Sequence, residues 1–70
     1  MEGAELGAAI ASERKRLGMS QRDLIARAGI GAAVLPPLET GKKTVTVPTL
    51  IRIARGLDMR ASELLRKIGE

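Results

Sequence analysis

The apolar residues of this chain recur every three or four positions, in short runs that glycine, serine or threonine interrupts. That period belongs to amphipathic helices, and such short runs restrict the chain to a set of short ones. Leu6, Ile10 and Leu17, with Ala8 and Ala9 beside them, mark the first helix, and Glu13, Arg14, Lys15 and Arg16 fill its other faces. Gly18 ends it where a left-handed residue commonly closes a helix, and the basic run suits the negative end of the helix dipole. Ser20 is placed as the N-cap of a second helix, paired with Asp23 in a shortened capping box. Leu24, Ile25 and Ala28 supply its buried face, and Gly29 closes it with positive φ. Ile30, Val34, Leu35 and Leu38 form a third apolar stripe, best explained as core, which Glu39-Thr40-Gly41 breaks.

Residues 42–47 read as a loop. Thr44-Val45-Thr46-Val47 alternates like a strand, but one strand of four residues without a partner makes no sheet. Thr46 is a suitable N-cap for a fourth helix, with Pro48 in the first turn, where proline loses no hydrogen bond. Leu50, Ile53, Ala54 and Leu57 give that helix its apolar face, and Asp58 ends it. Met59, Leu64, Leu65 and Ile68 mark a last helix from about Ala61 to Lys67. The prediction is a single all-α domain over residues 1–70, built of five short helices, with Met1 to Glu5 flexible and no internal repeat.

Composition narrows the chemistry. The chain has no cysteine and no histidine, so disulfides, thiolate metal sites and the commonest general base are all absent. Neither a cofactor nor a metal is expected. It has no aromatic residue on which single-stranded bases could stack. No apolar run approaches the length that spans a bilayer, and the N-terminus lacks the pattern of a secretory signal, so a cytoplasmic location is the expectation. Twelve Lys and Arg against eight Asp and Glu give a net charge of +4, which favours a polyanionic partner, chiefly nucleic acid. The carboxylates are scattered singly and no Gly-rich phosphate loop precedes a lysine, so no enzyme is expected.

The most specific pattern is Ser20-Gln21-x-x-Leu24, then Gly29-Ile30, then Leu38-Glu39-x-Gly41. With Ile10, Arg14, Leu17-Gly18, Leu35, Leu50, Ala54, Leu57 and Leu64-Leu65, it makes the stretch from Leu6 to Leu65 resemble the lambda-repressor and Cro family of helix-turn-helix domains. The resemblance implies a helix-turn-helix at about residues 20–39 and double-stranded DNA as the partner. It gives Gln21, in the first turn of the second helix, a contact to the DNA backbone, which agrees with the anion-favouring helix N-terminus. Lys42, Lys43 and Thr44, just after the recognition helix, are expected at phosphates too; Arg22 and Arg27 are weaker candidates. Arg14 and Glu39 are implied to form a structural ion pair joining the first helix to the end of the third.

The recognition helix departs from that family. Its base-facing positions fall on Gly31, Ala32, Ala33, Pro36 and Pro37, none of which can form the bidentate hydrogen bonds that read guanine or adenine. Alanine can still touch a thymine methyl. Pro36 and Pro37 disfavour helical geometry at the residues before them, Leu35 and Pro36. The third helix is therefore predicted to be split, either broken after a turn near Ala32 to Leu35 or beginning late at Pro36. Ile25 stands where the family prefers alanine and is expected to push the third helix outward unless that break makes room.

Two functions follow. The first is a sequence-specific regulator, a repressor acting as a homodimer on a roughly palindromic operator, with Met59, Leu64, Leu65 or Ile68 of the C-terminal helix either forming the dimer surface or serving equally well as core. The second keeps the fold but uses the apolar segment from Gly31 to Leu38 to dock another protein, such as a toxin, polymerase or sigma factor.

Overall fold

A computed structural model describes residues 3–69, and the side chains of residues 4–67. Five helices follow one another: α1 (Gly3–Arg16), α2 (Gln21–Ala28), α3 (Leu35–Glu39), α4 (Val47–Gly56) and α5 (Ala61–Gly69). No strand occurs among the described residues. Residues 3–5, expected to be flexible, already belong to α1, and Met1 and Glu2 lie outside the described residues.

Local chemistry sets most of the boundaries. The Ser20 hydroxyl accepts from the Asp23 N–H at 3.0 Å and the Asp23 carboxylate accepts from the Ser20 N–H at 2.9 Å, a complete capping box at the start of α2. Gly29, at φ 68°, closes α2 by donating its N–H to the Ile25 carbonyl. Thr46 caps α4, its hydroxyl accepting from the Thr49 N–H. That helix ends at Gly56, slightly short of Asp58, because Leu57 serves as its C-cap and Asp58 takes the left-handed conformation at φ 58°.

α3 is a single turn with no side-chain cap. Residues 32–34 form a turn, closed by the Val34 N–H on the Gly31 carbonyl, and the helix begins at Leu35. Leu35 and Pro36, expected to resist helical geometry, are both helical. The late start is the reason: the prolines fall in the first turn, where backbone N–H groups have no intrahelical acceptor to lose. Burial of Leu35 and Leu38, both essentially inaccessible, offsets the local reluctance.

The core joins all five helices through Leu6, Ile10, Leu24, Leu35, Leu38, Leu50, Ile53, Leu57 and Leu64. α1 packs on α3 and α5, and α2 packs on α4. Two glycines permit these close approaches. A Cβ on Gly7 would lie 2.0 Å from the Leu38 carbonyl oxygen, and one on Gly56 would lie 2.9 Å from a Leu24 methyl and 3.2 Å from the Ala28 backbone. Ile25 is half-buried and packs against the core.

One expectation about apolar residues needs correction, and one left open is decided. Leu17 lies just beyond the end of α1 and is 39 % exposed, so it is not part of the core stripe. Of the two roles open to Leu64, dimer surface and core, it takes the core: it is fully buried inside the monomer and cannot present its side chain to a second copy without unfolding α5. Met59 and Leu65 are half-buried against the same core, and the Ile68 side chain lies outside the described residues.

Candidate nucleic-acid interface

The start of α2 and the end of α3 are tied to α1 by a knot of charge-assisted hydrogen bonds. The Arg14 guanidinium donates through Nε to Glu39 Oε2 at 2.8 Å and through Nη2 to Glu39 Oε1 at 3.1 Å, a bidentate pair. Its Nη1 donates to the Met19 carbonyl at 2.8 Å, which anchors the α1–α2 turn. The Gln21 amide Nε2 donates to Glu39 Oε1 at 2.9 Å. The Arg14 and Glu39 side chains are only 10 % and 6 % exposed, where such bonds are stronger than at a wet surface. The Glu39 carboxylate raises the Arg14 pKa above its ordinary value, against the opposing effect of burial. One carboxylate at the end of α3 is thus bound to α1 and to the first residue of α2, and the relative placement of the three helices rests on it.

Around this knot the other candidate residues are all at the surface. Arg22 projects from the first turn of α2, exposed. Gly31, Ala32 and Ala33 occupy the α2–α3 connection and Pro36 the first turn of α3, all exposed, while Pro37 is half-buried. Lys42, Lys43 and Thr44 follow α3 as an exposed loop. The Lys42 N–H donates to the Pro37 carbonyl at 2.8 Å, so the loop begins directly on the α3 C-terminus. Gly41, at φ 78°, turns the chain against α1, where an added Cβ would lie 2.9 Å from the Ala4 Cα. Gln21 differs from the rest: its amide is tied to the scaffold rather than projecting freely.

Sequence reasoning missed a second charged cluster. Glu13, placed off the apolar face of the first helix, is buried. Its Oε1 accepts from Arg16 Nε and Nη2 at 3.0 and 2.8 Å, and its Oε2 lies 3.3 Å from Lys67 Nζ on α5. The Arg16 hydrogen bonds hold the Glu13 carboxyl below its ordinary pKa, although burial pushes the other way. The three-residue spacing to Arg16 was visible, but nothing in the sequence brought Lys67 beside it. No group of three or more potential metal ligands comes together among the described residues, and no described helix is long and apolar enough to cross a membrane.

Residues 5–66 match the family model of the helix-turn-helix domain. The chain belongs to that family. Solved structures agree on the fold of this helix-turn-helix protein. The clp gene regulator ClgR of Corynebacterium glutamicum superposes with a TM-score of 0.87 at 26% identity, over 97% of this chain and 88% of that one. An HTH_3 family transcriptional regulator from Vibrio cholerae gives 0.86 at 27% identity, over 94% of this chain and 37% of its own. The restriction-modification controller protein C.AhdI of Aeromonas hydrophila gives 0.84 at 24% identity, over 89% and 94%, a likeness of fold. No curated protein matches the sequence significantly. Family and neighbours together support a DNA-binding regulator rather than an enzyme, and the all-α architecture is that of lambda-repressor-like domains.

Proposed function

We propose that this protein is a sequence-specific double-stranded DNA-binding transcription regulator, a cytoplasmic, nucleoid-associated repressor that acts as a homodimer. The observation that carries the reading is the helix-turn-helix itself, with α2 and α3 locked by Arg14, Gln21 and Glu39 and followed by exposed Lys42 and Lys43. In this motif the second helix enters the major groove and the first crosses the backbone. The N–H groups of the first turn of α2, at Gln21 and Arg22, then face a phosphate, and the Gln21 amide keeps one N–H for it beyond the one given to Glu39. Lys42, Lys43 and Thr44 hold phosphates at the other end of α3, and Gly31, Ala32, Ala33 and Pro36 lie along the base edges. Two copies related by a two-fold axis place two α3 segments about one helical turn apart. Met59 and Leu65, still partly accessible, are the parts of the α5 region that can meet a second copy.

A second reading has one observation in its favour: the exposed edge Ala32, Ala33 and Pro36 is apolar, which suits a protein partner as well as a groove. Selection of a random duplex library at physiological salt separates the two. A two-fold symmetric motif, bound with an affinity that falls steeply with salt, supports the regulator. Retention without a motif, or no retention, overturns it in favour of a protein partner.

A further inference from the structure

The exposed face of the recognition segment has no side chain able to exchange a hydrogen bond with a base. Gly31, Ala32, Ala33 and Pro36 carry only hydrogen or carbon beyond the backbone. The one exposed polar side chain on this stretch, Thr40, is turned back on its own helix: its hydroxyl lies 3.2 Å from the Pro36 carbonyl and 3.2 Å from the Pro37 carbonyl, and donates there. Pro36 and Pro37 have no N–H to offer. The Val34 N–H is used by the Gly31 carbonyl. Glu39 is spent on Arg14 and Gln21. Cations remain close by at Lys42 and Lys43, but in the loop beyond α3.

The side chains of such a surface cannot read the donor and acceptor pattern of the major groove. They can read one feature, the methyl group on C5 of a pyrimidine, by van der Waals contact and by removing that methyl from water. We propose that the recognition segment of this protein, through Ala32, Ala33 and Pro36, reads pyrimidine C5-methyl groups in duplex DNA, and so accepts thymine and 5-methylcytosine alike. The two bases carry the methyl at the same place in the groove and differ in the exocyclic group at C4, an acceptor in one and a donor in the other. Side chains with no donor or acceptor have no means of telling that difference, which leaves the methyl as the feature that both bases share. Binding therefore responds to cytosine methylation wherever a cytosine occupies one of these positions. The inference rests on the DNA-binding reading above and assigns the chemistry that the same site recognises.

Three random duplex libraries test it, one with the four ordinary bases, one with deoxyuridine replacing thymidine, and one with 5-methyldeoxycytidine replacing deoxycytidine. The expected result is a thymine-containing motif from the first. The second is retained through its phosphates but yields no motif. In the third, 5-methylcytosine joins thymine at the same positions. On individual duplexes each thymine-to-uracil change weakens binding about fourfold, the worth of one buried carbon. Ala32→Gly and Ala33→Gly, both in an exposed turn, each abolish the thymine-over-uracil ratio at one position. The same motif from the thymine and uracil libraries overturns the proposal while leaving DNA binding intact. A motif in which 5-methylcytosine is rejected also overturns it. Failure to retain DNA from any library overturns the DNA-binding reading itself.

Discussion

Two glutamates with buried side chains, Glu13 on α1 and Glu39 on α3, differ in how much of the fold they join. Glu39 accepts from Arg14 twice and from Gln21 once, so its carboxylate binds α3 to both α1 and α2. Glu13 takes both of its short bonds from Arg16, on its own helix, and reaches α5 only through Lys67 at 3.3 Å. The cations differ as well. Arg14 is as buried as its partner, whereas Arg16 and Lys67 stand in solvent. Equal burial of two carboxylates therefore says little about their structural weight. What matters is whether the partner comes from another element and whether it too has left water.

This contrast can be broken from its strong side first. Glu39→Ala strands the Arg14 guanidinium in the interior and should destabilise the protein by about 3–5 kcal/mol. For a chain of 70 residues that is most of the folding free energy, so circular dichroism at ambient temperature should show loss of helix. Gly7→Ala attacks the same α1–α3 seam without touching charge. Its Cβ would overlap the Leu38 carbonyl, and urea titration should show a loss of about 3 kcal/mol as α1 and α3 part.

Smaller effects sharpen the comparison. Ser20→Ala removes one half of the capping box at α2 and should cost about 1 kcal/mol in the same titration. Glu13→Gln should cost about 0.5 kcal/mol, as for a pair within one helix whose cation is exposed. That loss has a sign in pH. The folded pKa of Glu13 is depressed, so its contribution is complete above the unfolded carboxylate value and disappears as pH falls through the lowered folded value. Thermal melts from neutral pH down into the acid range should show a shallower decline for Glu13→Gln than for the parent chain. An equal decline would place the acid sensitivity elsewhere, with Asp23 in the capping box the next group to replace, since its pKa is lowered by the hydrogen bonds from Ser20. Leu17→Ser should change stability least, by less than about 0.5 kcal/mol, because its side chain already faces water.

The helices were legible because their signals are local. Ser20 with Asp23, Gly29, and Thr46 with Pro48 each satisfy backbone groups within a few residues, and the boundaries they implied lie close to those observed. The resemblance carried by Ser20-Gln21, Gly29-Ile30 and Leu38-Glu39 identified the family and pointed to Arg14 and Glu39 together. The candidate DNA-facing residues were nameable by position, but the attachment of the Gln21 amide to Glu39 was not, because it depends on where α3 ends in space. Leu17 and Leu64 show the limits of periodicity. Leu17 kept the spacing yet fell past the last turn of α1, and the spacing of Leu64 fitted a dimer surface as well as the core that it fills.

The sequence alone determined the number and approximate ends of the helices, the all-α class, the family and the lack of base-reading side chains, since each depends on residue type and short-range spacing. Only the tertiary structure decided that Pro36 and Pro37 fit the first turn of a late helix, that Gly7 admits the Leu38 carbonyl, and that Glu13 is buried beside Lys67. Those outcomes depend on which surfaces meet, and contacts between residues far apart in the chain are set by packing the whole core, not by any local pattern.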